Sequence, residues 1–124
     1  MGYKEQGYHE LEGMMGEYRN GRLHMQGSIQ CPYYVLDAVS LATGMPKEDI
    51  SVKQNTTGGG FGGKEEWPSI VAAQVAIAAL KAGGKPVRLI YDRREDMEFT
   101  SKRHPACCRY KVAVKDGKVS AMDI

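Results

Sequence analysis

Between Gly58 and Gly63 five of six residues are glycine, broken only by Phe61, and the charged pair Lys64-Glu65 follows at once. Without Cβ atoms such a run leaves its backbone amides bare, so a polar or anionic group can lie directly against the main chain. A long apolar segment with helical character begins soon after, near Pro68. The stretch reads as a cradle for an anion or a cofactor.

The rest of the chain alternates strand and helix signals around this loop. A weak strand from Glu10 to Arg19 ends at Asn20-Gly21, the favoured pair for a type I′ hairpin turn. The return strand alternates, with Leu23, Met25, Gly27 and Ile29 on one face and His24, Gln26, Ser28 and Gln30 on the other. Gln30 thus stands at a strand end on the polar face, a position suited to touching a ligand. Pro32 opens a helix whose apolar stripe is Val35, Leu36, Val39 and Ala42, with Gly44 and Pro46 as its stop.

Ile50 and Val52 form a short strand that runs into the glycine loop. The segment Ser69–Lys81 is apolar on nearly every side, which predicts a buried helix, ended by Gly83, Gly84 and Pro86. Val87–Tyr91 reads as a strand, and Asp92 to Glu95 has capping-box spacing before a short helix reaching about Phe99. Asp116-Gly117 joins a last hairpin in which Val114 faces Val119 and Val112 faces Ala121. The order β-β-α-β-α-β-α-β-β predicts an α+β fold: a mixed-sheet two-layer sandwich with hairpins at both ends.

At 124 residues the chain suits one modest domain, and its net charge of +2 selects no partner class. It has no basic run interleaved with aromatics, which argues against nucleic acid. No apolar run of 18 residues and no signal-peptide pattern is present, so a soluble cytoplasmic protein with no membrane partner is expected. Cys31, Cys107 and Cys108 lack the paired spacing of a zinc or iron–sulfur site. Cys107 and Cys108 fall on an expected strand with side chains to opposite faces, and all three are expected as buried small hydrophobes. No side chain is expected to ligate a metal.

Two nucleotide motifs can also claim the loop. Gly58-x-Gly60-x-x-Gly63 has the dinucleotide spacing, but the strand before it is short and half polar, and Asp92 lies beyond the usual distance of ~20 residues. Gly58 to Lys64 has the phosphate-loop spacing, but Glu65 stands where a hydroxyl should meet magnesium.

A wider set of residues resembles the molybdenum-cofactor-binding subunit of the xanthine dehydrogenase and aldehyde oxidase family. The octet Gly58–Glu65 is joined by Ser28-Ile29-Gln30-Cys31-Pro32, Gly44-Met45-Pro46 and Ile50-Ser51-Val52. Downstream follow Lys85-Pro86-Val87-Arg88, Asp92-Arg93-Arg94-Glu95-Asp96-Met97, Lys102-Arg103-His104-Pro105 and Arg109-Tyr110-Lys111-Val112. The resemblance covers about Gln26 to Ile124; in the first 25 residues His9 and Glu12 only loosely echo a family His-to-Glu segment.

The resemblance implies a molybdenum–molybdopterin cofactor, alone or in a dinucleotide form, with iron–sulfur clusters and FAD on partner domains or subunits. It implies hydroxylation of a carbon beside a ring nitrogen or carbonyl with oxygen taken from water. Gln30 would donate from its amide to a metal oxo ligand. Gly60, Phe61, Gly62 and Gly63 would lie against the cofactor, the Gly62 amide as donor and the Phe61 ring as shield. Glu65 would contact substrate and favour a purine-like heterocycle, whereas a plain helix-start glutamate would gain only ~0.3–1 kcal/mol from the dipole.

Lys64 is expected to be solvated, and Arg103 and His104 to be structural. Residues 1–124 are expected to be a partial molybdopterin-binding domain, completed by the remainder of a molybdenum subunit and inactive alone. The alternatives are a non-catalytic module of a split subunit and a nucleotide-binding protein that uses the Gly58–Gly63 loop.

Overall fold

In the computed structural model, which describes all of residues 1–124, two helices lie across one face of a four-stranded sheet. The elements are β1 (Gly13–Arg19), β2 (Arg22–Gly27), α1 (Pro32–Thr43), β3 (Ile50–Gln54), α2 (Trp67–Lys81), β4 (Val87–Ile90), α3 (Arg93–Phe99), β5 (Lys111–Lys115) and β6 (Lys118–Asp123). A single 3-10 turn, Lys47–Asp49, precedes β3. The expected order of elements is observed, and the architecture is α+β with a mixed sheet in the order β3-β2-β1-β4.

Local chemistry accounts for the boundaries. Asn20 and Gly21 both adopt positive φ (51° and 78°), the geometry of a type I′ turn, and the hairpin places Tyr18 opposite Leu23 and Gly16 opposite Met25. β3 pairs with β2 in parallel, so the chain must cross over between them, and α1 is that crossover. Pro32 opens α1, and Gly44 closes it at φ 72° with its N–H on the Ser40 carbonyl. Asp92 and Glu95 form the complete capping box of α3, each side chain accepting from the other's backbone N–H.

The core fills the space between sheet and helices with Met14, Leu23, Met25, Ile29, Val35, Val39, Ile50, Val71, Val75 and the alanines of α2. Gly16 lets α2 come down onto β1: a Cβ there would lie 2.9 Å from both Met25 Sδ and Val75 Cγ1.

Several expectations are corrected. α2 buries only one face, through Val71, Ala72, Val75, Ala76 and Ala79, while Ile70 and Ile77 are nearly half exposed. In α1, Ala42 lies outside the buried stripe. Its neighbour Leu41 joins Ile70 and Ile77 in an apolar groove between the two helices. Ser28, assigned to the polar face, is buried, because β2 ends at Gly27 and the alternation ends with it.

Cys107 and Cys108 lie in an irregular, exposed segment instead of a strand, and Cys31 is half-buried. In the last hairpin Val114 does face Val119, but a bulge beside Ala113 shifts the register so that Val112 pairs with Met122 and Ala113 with Ala121. This hairpin is a separate two-stranded sheet, exposed on both faces.

Candidate functional site

The glycine loop is folded, not merely flexible. Gly59, Phe61 and Gly62 take positive φ values of 94°, 52° and 91°, and a tight turn closes with the Gly63 N–H on the Gly60 carbonyl at 2.8 Å. A left-handed phenylalanine is uncommon. Here it turns the ring outward, 70% exposed, over the loop. The backbone N–H groups of Gly59, Gly60 and Phe61 make no hydrogen bond within the chain; Gly60 is buried, Gly59 half-buried and Phe61 exposed at the loop tip.

Gln30 is the side chain the loop grips. Its Oε1 accepts from the Gly62 N–H and the Lys64 N–H, both at 3.1 Å. Its own N–H donates to the Lys64 carbonyl at 2.8 Å. With the carboxamide oxygen saturated, the Nε2 group is left as the free end, without a partner in the chain. The Gly62 N–H, expected to face a ligand, is here engaged by Gln30. Gly60 is obligatory in this arrangement because any Cβ there would collide with Gln30 Oε1. At Gly63 a Cβ would meet the Tyr8 ring at 2.5 Å.

Beneath the loop lies a buried polar network that sequence patterning did not reveal. Lys64, expected in solvent, is fully buried. Its Nζ donates to the Glu10 carbonyl (2.7 Å) and to Ser28 Oγ (2.8 Å), and lies 3.4 Å from Glu10 Oε2 and 4.7 Å from the centroid of the Tyr8 ring. Glu10 also holds the other end of the loop: its Oε2 accepts from the Gly58 N–H at 2.6 Å, and its own N–H donates to the Gly58 carbonyl at 3.3 Å. Glu10, expected to begin a strand but lying ahead of β1, therefore clasps both mouths of the glycine loop.

Asp96, on α3, completes the network. It is fully buried and accepts from the Tyr8 hydroxyl at 2.5 Å and from the Glu12 N–H at 2.8 Å. Arg93, one turn earlier, donates to the carbonyls of Tyr8 and His9. Burial first, and then the bond to Asp96, push the Tyr8 hydroxyl far above its ordinary range. Glu12 is buried with both carboxyl oxygens unpartnered, and burial together with the Asp96 carboxylate raises it to about 8. Burial opposes ionisation of Glu10 too, but the Gly58 N–H, the Ser28 hydroxyl and the Lys64 ammonium outweigh it and hold Glu10 below the usual carboxylate range.

On the outer side of the loop, Phe61, Gly62 and Glu65 line a cleft of about 490 Å³ with Gln6, Arg103 and His104. Glu65 is exposed and precedes the N-cap residue Glu66, and the first turn of α2 contains no acidic residue. Glu65 therefore borders both the cleft and the N-terminus of α2. Arg103 is brought there by backbone pairing with Lys4, its N–H bonding the Lys4 carbonyl at 3.0 Å. Gln30 and Glu65, the two proposed reactive positions, thus flank the same loop, with Phe61 and Gly62 exposed between them.

No group of three or more His, Cys, Asp or Glu side chains in the chain could hold a metal ion directly. The cradle does fit a cofactor laid against the main chain. It offers bare amides, a free carboxamide N–H, a Gly62 at which a Cβ would meet nothing within 4 Å, and glycines that cannot be enlarged from behind.

Residues 1–124 match the molybdopterin cofactor-binding domain family. Aldehyde oxidase 2 of Rattus norvegicus is 41% identical over 103 residues, 82% of this chain and 8% of the relative. Xanthine dehydrogenase/oxidase of Gallus gallus is 39% identical over 106 residues, 85% of this chain and 8% of the relative. Among solved structures, CO dehydrogenase from Oligotropha carboxidovorans superposes with a TM-score of 0.74 at 28% identity, covering 98% of this chain and 15% of that one. The chain spans about 8% of the length of these curated relatives. The chain belongs to the molybdopterin cofactor-binding domain family of the xanthine dehydrogenase and aldehyde oxidase group of oxidoreductases.

Proposed function

We propose that residues 1–124 form one wall of the molybdenum site in a hydroxylase that oxidises a purine-like N-heterocycle with oxygen from water. The observation that carries this reading is the orientation of Gln30. Two backbone N–H groups fix its carboxamide oxygen, and so aim its amide N–H away from the loop. When bound, the molybdenum–molybdopterin cofactor, alone or as a dinucleotide, would supply the redox chemistry that oxidises the substrate carbon.

The chain's own residues bind and orient. Gln30 Nε2 would donate to an oxo ligand of the metal. The unpaired amides of Gly59 to Phe61 would lie against the cofactor, and the exposed Phe61 ring would exclude water from it. Glu65, at the edge of the cleft, would accept from a purine N–H, which is what favours a purine over an aldehyde. An aldehyde substrate is the second reading, favoured by the 41% identity to an aldehyde oxidase.

Completion of the site would come from the remainder of a molybdenum subunit, with iron–sulfur and FAD domains or subunits carrying electrons onward. By itself the 124-residue chain would neither retain the cofactor tightly nor turn over. A cytoplasmic enzyme is proposed; no helix is long and apolar enough to cross a membrane. The test is Glu65→Val in the full-length protein: selective loss of purine oxidation supports the reading, and equal loss with purine and aldehyde overturns the substrate contact.

A further inference from the structure

Burying a lysine ammonium is costly unless its three protons find acceptors. Lys64 meets that demand with groups that matter to the site. The Glu10 carbonyl, the Glu10 carboxylate and the Ser28 hydroxyl surround Nζ, and the Tyr8 ring lies 4.7 Å away. Ser28 is two residues before Gln30, and the backbone of Lys64 itself pairs with Gln30 through both its N–H and its carbonyl. One residue therefore grips the Ser28–Gln30 segment at two levels, by side chain and by main chain. Its partner Glu10 clasps Gly58 at the far end of the loop. An apolar residue of similar length could fill the space but could not fix these three segments in register.

We propose that Lys64 is a positioning residue that acts through Gln30: its ammonium, seated on Glu10 and Ser28, sets where the Gln30 amide N–H and the loop amides meet the cofactor. This rests on the molybdenum reading above. It assigns to a fully buried residue the accuracy with which Gln30 presents its amide N–H. Residues that orient such contacts typically cost about 10–100-fold when removed.

The test uses the full-length holoprotein and its Lys64→Met, Ser28→Ala and Gln30→Ala variants. Two readouts are taken: amide hydrogen exchange across residues 58–65, and the Mo(V) electron paramagnetic resonance spectrum after partial reduction with dithionite. Lys64→Met is expected to speed exchange at the bonded amides of Gly58, Gly62, Gly63 and Lys64 by roughly 10–100-fold while β1 and β2 stay protected, and to shift the Mo(V) signal as Gln30→Ala does. Ser28→Ala is expected to move both readouts the same way by a smaller amount.

A folded Lys64→Met protein with wild-type exchange and a wild-type spectrum overturns the proposal. Should Lys64→Met fail to fold, Ser28→Ala decides on the same two readouts, and wild-type behaviour there overturns it. A wild-type protein without molybdenum refutes the underlying cofactor reading instead. The exchange arm then still decides whether Lys64 holds the loop.

Discussion

Gln30 and Lys64 are joined by reciprocal bonds: the Lys64 N–H donates to the Gln30 carboxamide oxygen at 3.1 Å, and the Gln30 N–H donates to the Lys64 carbonyl at 2.8 Å. Residues 34 positions apart thereby become one unit, with the carboxamide N–H as its exposed end. The loop owes its shape to this pairing as much as to its glycines.

Gly60→Ala tests the close approach. A Cβ at Gly60 would displace the Gln30 carboxamide, while the backbone of Gly60 does not itself require positive φ. The expected outcome is a folded full-length protein whose molybdenum content falls well below wild type, measured as bound metal per protein, because the added Cβ crowds the loop as well as displacing Gln30. Full metal content would show that the loop accommodates a Cβ at Gly60 without loss of the cofactor.

Tyr8→Phe tests the network beneath the loop. It removes the hydroxyl that Asp96 accepts from at 2.5 Å and leaves a buried carboxylate with fewer donors. A loss of about 1–3 kcal/mol is expected from the denaturant midpoint. An unchanged midpoint would mean that Asp96 is satisfied without Tyr8.

Glu12 gives the stability a pH dependence whose sign follows from its shift. An unfolded glutamate releases its proton near 4.5, whereas buried Glu12 holds its proton to about 8. Between those values the folded chain carries a proton the unfolded chain has lost, so stability falls as pH rises through the window. Glu12→Gln removes the dependence. The unfolding free energy of the variant relative to wild type should rise from near zero at pH 5 to its largest value above pH 8, with about 5 kcal/mol as the ceiling. A difference that stays flat with pH would contradict the burial of a protonated Glu12.

Glu65→Val addresses substrate class. Loss of one hydrogen bond from the carboxylate to a purine is worth about 1–3 kcal/mol, or roughly 10–100-fold in kcat/KM, and the same change should scarcely affect an aldehyde. Parallel kinetics with xanthine and benzaldehyde check this. A larger loss with benzaldehyde would favour the aldehyde reading.

The elements with local signatures were legible in the sequence: the Asn20-Gly21 hairpin, the Pro32 helix start, the Asp92–Glu95 capping box and the glycine loop each depend on neighbouring residues. Gln30 and Glu65 could be singled out because the family resemblance pointed at them; strand alternation did not reach Gln30, which lies beyond the end of β2 at Gly27. The support beneath them was not legible. Tyr8 sits in a stretch without period, Glu10 at the edge of a weak strand signal, Lys64 is of a type that normally stays in solvent, and Asp96 looks like any residue on a short helix. Their roles arise from contacts over 36 to 88 positions of sequence separation, which no local pattern encodes. The bulge beside Ala113 was missed for a related reason, since alternation alone does not reveal an inserted residue.

The most direct measurement replaces Gln30 by glutamate in the full-length protein. Gln30→Glu keeps an oxygen to accept from Gly62 and Lys64 but removes the amide donor aimed at the cofactor. With xanthine as the probe, stopped-flow reduction of the enzyme should slow by about 10–100-fold while the melting temperature and molybdenum content stay near wild type. A wild-type rate of reduction in a metal-replete variant would contradict the role assigned to Gln30.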